Sequence, residues 1–204
     1  MAARLFVIAA PSGAGKTSLV KELVRRHPEL VFSISYTTRR KRPTEQEGRD
    51  YFFVSEAEFA ELEARGELLE SACVFDHRYG TSRRQVESEL AKGRSVILEI
   101  DWQGARQVRR ACPDSVSIFI LPPSRDELAR RLRARGTDDA ATIERRLADA
   151  VGDMSHWDEF DYVVVNDDFE RAAAALEGII AGDGRECRSD DPALRERIAA
   201  ILAS

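Results

Sequence analysis

Apolar positions along this chain follow two alternating patterns. Continuous apolar runs at 4–9, 96–100, 116–121 and 162–165 have the length of strands buried on both faces, and 31–35 is a shorter candidate. Between the runs, apolar residues recur at helical spacing over 16–26, 55–65, 82–92, 102–111, 125–135, 139–152 and 168–181. A last amphipathic helix is predicted over about 192–203, after a polar loop at 183–190. Ser55 with Glu58, Ser82 with Gln85, and Ser124 with Glu127 have the spacing of capping boxes. Gly66, Gly93 and Gly136 follow the last periodic residues of their segments, where helices end. The alternation predicts an α/β fold with a mostly parallel sheet covered by helices on both faces.

Two stretches break the rhythm. Residues 37–80 start with a basic, Pro-containing loop and continue with the aromatic strand Tyr51-Phe52-Phe53-Val54, a helix and a strand from Leu68 to Phe75. This pattern predicts a small α+β insertion. Near 136–160, Gly136 separates two Arg-rich helices and marks a second insertion.

Composition narrows the class. The 204 residues suit one domain with small insertions, with 43% hydrophobic and 33% charged positions. No apolar run approaches the roughly 20 residues of a bilayer span, and Met1-Ala2-Ala3-Arg4 enters a strand without signal-peptide architecture. Cys73, Cys112 and Cys187 are odd in number and widely spaced, so free thiols in a reducing cytoplasm are expected. His27, His77 and His156 share no metal spacing. A net charge of -5 speaks against nucleic-acid binding, and no membrane or obligate protein partner is expected.

The most informative segment is Ala10-Pro11-Ser12-Gly13-Ala14-Gly15-Lys16-Thr17. It follows an apolar strand pattern and opens a helical one, the context that a phosphate-binding loop requires. Glycines let backbone N–H groups close around phosphate oxygens, and the helix N-terminus faces the same anion. Lys16 adds a mobile charge, and the Thr17 hydroxyl stands where it would ligate magnesium. Ala10 occupies the position usually held by the first glycine of the pattern.

Other candidates come from charge and periodicity. Glu99 and Asp101 flank Ile100 at the end of a buried strand, where open α/β sheets carry their acids. Asp101 is suited to a water-mediated magnesium contact, to orienting a nucleotide, or to capping the helix after it. On the helix over 125–135, Leu128 and Leu132 define an apolar stripe; Arg135 falls on its face and Arg131 at its edge. Arg146 borders the stripe of Ile143 and Leu147, whereas Arg130, Arg133 and Arg145 point away. An inward cation needs a partner: a phosphate, or a local acid such as Asp138 or Glu144.

The landmarks together resemble a family. Ser33 through Pro43, then Gly48-Arg49-Asp50-Tyr51-Phe52-Phe53, are similar to the nucleoside-monophosphate-binding region of guanylate kinases. Tyr79-Gly80-Thr81, Ile97 through Gly104, Arg135-Gly136-Thr137 and Val165-Asn166-Asp167-Asp168 follow in family order over roughly 4–182. Thr44 replaces a glycine usual in the family, and the loop starting at Ala10 resembles bacterial members.

The resemblance implies a P-loop core over 1–36, 81–135 and 159–204, a GMP-binding insertion at 37–80 and a helical lid at 136–158. It implies transfer of the terminal phosphoryl group of ATP to GMP, with magnesium. ATP falls to Ser12, Gly13, Ala14, Gly15, Lys16, Thr17 and Ser18, with Asn166 at an adenine-contacting position or serving as a turn residue. Arg39, Arg42, Tyr51 and Tyr79 match the holders of the GMP phosphate, and Ser35, Glu70 and Thr81 the readers of guanine. Without the resemblance, Glu70 reads as a strand-edge surface acid and residues 39–42 as a solvated basic loop. Glu99 and Asp101 join the GMP site, and Lys16, Arg131, Arg135 and Arg146 are the implied catalytic cations. A guanylate-kinase-like protein-binding module and a P-loop kinase acting on a sugar phosphate are the alternative readings.

Overall fold

The computed structural model describes residues 3–134 and 140–203. Its elements run β1 (Leu5–Ala9), α1 (Lys16–Arg26), β2 (Val31–Phe32), β3 (Tyr36–Thr37), β4 (Phe52–Phe53), α2 (Glu56–Ala64), β5 (Leu68–Val74), β6 (His77–Ser82), α3 (Arg83–Ala91), β7 (Val96–Glu99), α4 (Trp102–Ala111), β8 (Val116–Leu121), α5 (Arg125–Ala134), α6 (Ala140–Met154), β9 (Tyr162–Val165), α7 (Phe169–Ala181) and α8 (Pro192–Ala203). Short 3₁₀ turns lie at Ser155–Glu159 and Arg185–Cys187. The central sheet has the order β2-β7-β1-β8-β9. Its β2–β7 and β8–β9 pairs are parallel, so each return passes through a helix.

Two compact units share β1. The first comprises 1–7 and 28–116; the second comprises 8–27 and 117–204. The first carries a four-stranded sheet of order β4-β3-β6-β5. β5 and β6 form an antiparallel hairpin, with β3 antiparallel to β6 and parallel to β4. Phe59 of α2 is fully buried, and the Arg78 guanidinium of β6 lies 4.5 Å from its ring centroid. In the second unit, β8 and β9 are largely buried and α7 packs against β9; Leu128 and Leu132 of α5 and Ala172 and Leu176 of α7 are buried. Asp161 ties the start of β9 to β8, its carboxylate accepting from Ser117 N at 2.8 Å and Ser117 Oγ at 2.6 Å.

Local signals explain most boundaries. Ser55 and Glu58 form a complete capping box at α2. The boxes expected at Ser82 and Ser124 are half made. Each hydroxyl accepts from the N–H three residues on, but the Glu127 carboxylate turns to Arg130 and Arg131, and Gln85 Oε1 to Ser33. Gly66 and Gly93 follow α2 and α3 at φ +66° and +77°, while Gly136 lies outside the described residues. Expected strands shorten to Val31–Phe32, Phe52–Phe53 and Val96–Glu99, because Tyr51 forms only an isolated bridge and Ile100 leads into the α4 cap. β3 and β6 leave no mark in the apolar pattern: two residues show no period, and the sequence of β6, HRYGTS, lacks apolar alternation.

Phe59→Ala is expected to cost about 3–5 kcal/mol of stability, the usual toll of emptying a buried phenyl site. Urea unfolding followed by circular dichroism measures it. A midpoint shifted by less than a few tenths molar would mean that α2 carries little of the first unit.

Candidate active site

The second unit holds the glycine-rich loop. Ala14 N donates to Pro11 O at 3.2 Å, closing a tight turn, and Gly15 caps α1 in the left-handed region at φ +94°. Gly13 also has positive φ, +92°. Space imposes the same choice: a β-carbon on Gly15 would stand under 3.0 Å from Asn166 Nδ2, and one on Gly13 would press on Leu128 and Leu132. No acidic residue lies in the first turn of α1 and no side chain caps it at Gly15, so the dipole of the helix favours an anion at that end. Lys16 begins the helix, half-buried, with Thr17 and Ser18 exposed and Ser12 half-buried on the loop.

Asn166 and Arg131 brace this loop. The side-chain amide of Asn166, 5% exposed, donates to Ala14 O at 2.7 Å. Arg131 Nη1 donates to the same carbonyl at 3.3 Å and Nη2 to Asn166 O at 2.9 Å. Glu127 accepts Arg131 Nε at 2.7 Å and grips Arg130 as well. These two guanidinium hydrogen bonds hold the Glu127 carboxyl down to about 2, so the brace persists throughout the neutral pH range. Among the described residues, the acid that meets Arg131 is Glu127, one turn earlier on the same helix; Asp138 lies outside the described residues. An i,i+4 pair of Glu and Arg is legible in a sequence, but Glu127 first reads as a cap. Arg130 and Arg133 are exposed and Arg131 half-buried, as the helical sorting predicts. On α6, Arg146 is half-buried and Arg145 exposed. Arg135 lies outside the described residues.

The first unit gathers the acceptor candidates. Glu70, 3% exposed, is buried in β5, where a register shift between Leu68 and Glu70 bends the strand. Its cross-strand partner Thr81 donates from Oγ1 to Glu70 Oε1 at 2.6 Å. The surface-acid reading of Glu70 therefore fails. Ser35 precedes β3, half-buried, and its carbonyl accepts from Phe52 N at 2.9 Å.

Arg39 sits in a fork of Glu45, Nη1 to Oε2 at 3.1 Å and Nη2 to Oε1 at 2.7 Å, with its Cζ 5.4 Å from the Tyr51 ring centroid. Burial works against its charge, but the bonds to Glu45 and Tyr79 outweigh that and raise its pKa. Burial likewise works against the Glu45 carboxylate, yet Arg39 and the Arg42 N–H keep it below its ordinary value. Residues 39–42 thus divide: Arg39 is held, whereas Arg40, Lys41 and Arg42 are exposed. The rings of Tyr51 and Tyr79 meet edge-on at 6.0 Å. Burial, with the nearby Glu99 charge, pushes the Tyr51 phenol up to about 12, so it remains a hydrogen-bond donor at neutral pH. Glu99 ends β7, half-buried. Asp101 is the N-cap of α4, its Oδ1 accepting from Gly104 N at 2.8 Å. Glu45 was missed in the sequence because an acid in a basic loop reads as a solvated counter-charge.

A mostly parallel sheet, a glycine-rich loop opening a helix, and an arginine bonded to that loop define a P-loop fold. Comparison with known proteins gives the particular branch. The profile of the guanylate kinase family matches residues 2–183. Guanylate kinase of Alkalilimnicola ehrlichii is 50% identical over 202 residues, 99% of this chain and 100% of that one. That of Nitrosococcus oceani is 57% identical over 180 residues, 88% and 89% of the two chains. The crystal structure of guanylate kinase from Anaplasma phagocytophilum superposes with a TM-score of 0.75 at 36% identity, covering 90% of this chain and 87% of that one. The chain belongs to the guanylate kinase family. It is a nucleoside monophosphate kinase. Among the described residues, no helix is long and apolar enough to cross a membrane.

Gly15→Ala is expected to weaken MgADP binding at least tenfold, because the left-handed backbone costs about 1–2 kcal/mol for a non-glycine residue and the new methyl displaces the Asn166 amide. Calorimetric titration checks it. Unchanged nucleotide affinity would mean that the loop does not cradle phosphate.

Proposed function

We propose that this chain transfers the γ-phosphoryl group of MgATP to GMP, with ATP on the loop of the second unit and GMP on the four-stranded sheet of the first. The observation that carries the acceptor reading is the buried Glu70–Thr81 pair on the same sheet as the Tyr79–Arg39 cluster. A carboxylate held there accepts from both N1–H and the 2-amino group of guanine. Adenine offers neither in that arrangement, so its binding would leave a buried polar group unpaired. Ser35 flanks this base site, with Glu99 and Asp101 at the end of β7 supporting it. Arg39 and Arg42 take the GMP phosphate, with the hydroxyls of Tyr51 and Tyr79. The planar fork of arginine suits phosphate oxygens better than the point charge of lysine.

In the reaction, a phosphate oxygen of GMP attacks the γ-phosphorus of ATP. The new P–O bond forms as the bond to the β–γ bridging oxygen breaks, and ADP leaves with that electron pair. A phosphate monoester is largely ionised at neutral pH, its second pKa being near 6, so the nucleophile needs no general base. What remains is positioning and charge neutralisation. Lys16 and the first-turn amides of α1 supply it at the donor phosphates, with Arg131, Arg135 and Arg146 as further cations. Asn166 keeps the loop closed and borders the adenine position.

Magnesium is a hard cation that takes oxygen ligands and keeps several waters. The exposed Thr17 hydroxyl at the first turn of α1 suits it, and would hold it together with phosphate oxygens. When bound, it neutralises charge on the transferring group. Asp101 is an oxygen donor of the right hardness as well, although its Oδ1 already caps α4.

Coupled assay of ADP formation with GMP, AMP, CMP and UMP in turn tests the substrate, with turnover expected on GMP alone. Lys16→Ala is expected to cut turnover at least ~100-fold, the scale of removing a preorganised charge stabiliser. A folded Lys16→Ala protein with near-normal turnover would overturn the catalytic reading of the loop. Arg39→Ala is expected to weaken GMP roughly 10- to 100-fold while sparing ATP, since a charge-assisted bond contributes about 1.5–3 kcal/mol. Equal weakening of both nucleotides in separate titrations would contradict the acceptor assignment.

A further inference from the structure

Gly104 stands at the third position of α4, a place where helix propensity favours almost any other residue. Its backbone does not explain it, because its φ is not positive. Space does. A β-carbon built on Gly104 would stand under 3.0 Å from Glu70 Oε2, 3.1 Å from Glu70 Cδ and 3.2 Å from Asp101 Oδ1. The carboxylate of Glu70 fills the volume that a side chain at 104 would take.

A second contact fixes α4 against the strand that carries Glu70. β5 is the edge of its sheet, so the outward backbone groups of Ser71 have no neighbouring strand. The amide of Gln107 takes that neighbour's place: Ser71 N donates to Gln107 Oε1 at 3.1 Å, and Gln107 Nε2 donates to Ser71 O at 2.7 Å. One side chain reproduces both bonds of a ladder pair. Gln107 lies one turn beyond Gly104, and Ser71 is the residue after Glu70. The clamp therefore sets the distance between the Gly104 backbone and the Glu70 carboxylate. Thr81 holds the other oxygen, Oε1.

We infer that Gly104, registered by the Gln107 clamp, is a positioning residue for base specificity: the bare backbone of α4 sets where Glu70 Oε2 sits and thereby how well guanine is told from bases lacking its 2-amino group. The inference rests on the guanine-reading role proposed for Glu70. A methyl group at 104 meets side-chain ends rather than backbone, Glu70 most closely and Asp101 Oδ1 more loosely, so it moves the Glu70 carboxylate before it disrupts the fold. Alanine is also the better helix former, which separates a positioning effect from destabilisation.

The test compares GMP with IMP, which keeps N1–H but lacks the 2-amino group. For Gly104→Ala, kcat/KM for GMP relative to IMP is expected to fall about tenfold, mainly through the KM for GMP. The KM for ATP should stay within about twofold, and the melting temperature should not drop. Gln107→Ala, which breaks the clamp without adding a methyl, is expected to lower the same ratio by a smaller factor. Glu70→Gln should collapse the ratio, and adding Gly104→Ala to it should change the ratio no further, since both act through one carboxylate. If Glu70→Gln leaves the ratio intact, the base-reading role itself is wrong. If Glu70→Gln collapses the ratio while Gly104→Ala leaves it intact, or if the two effects are independent, the positioning inference is overturned. Should Gly104→Ala fail to fold, an unchanged ratio in folded Gln107→Ala overturns it equally.

Discussion

Each unit depends on a backbone position where no β-carbon fits without displacing a polar side chain. At Gly15 the excluded volume belongs to the Asn166 amide, which holds the Ala14 carbonyl and so keeps the loop in its cradle shape. At Gly104 it belongs to the Glu70 carboxylate. The two glycines answer different demands. Gly15 needs both left-handed backbone and space, whereas Gly104 needs space alone, inside a helix that would be better formed with alanine. Intrinsic helix preference is given up where a side chain would displace a buried carboxylate.

The second recurring device is the arginine seated by a carboxylate and a further contact of its own unit. Arg39 lies in the fork of Glu45 and over the Tyr51 ring; Arg131 is gripped by Glu127 and spends its other donors on Ala14 and Asn166 carbonyls. In the proposed function, a fixed guanidinium would avoid the entropy cost of ordering a long side chain when a nucleotide binds. The partner carboxylates also keep these cations from wandering to other acids. The pair of exposed Arg25 with Glu22 has similar distances, but solvent screens such a pair and it contributes little.

Much of this was legible along the chain. The long strands and helices emerged from periodicity within a residue or two, because they are buried and regular over several turns or pleats. The glycine-rich loop was legible because its chemistry is local: eight consecutive residues between a strand and a helix. β3 and β6 were not, because a two-residue strand has no period and a polar strand lacks the apolar alternation that reveals one. Glu127 was misread as a cap for a related reason, since the same spacing serves a capping box and the start of an i,i+4 ion pair. Which of the two forms is decided by where Arg131 has to point.

By itself, the sequence determined the α/β alternation, the phosphate loop, and the inward face of the helix that carries Arg131. Each rests on residues close together in the chain. Only the tertiary structure decided that Glu70 is buried rather than a surface acid, that Asn166 braces a carbonyl 152 residues away, and that Gly104 leaves room for a carboxylate from another element. Those facts concern volume and hydrogen-bond partners supplied by distant segments, and a linear pattern does not encode which side chain will fill the space beside a missing one.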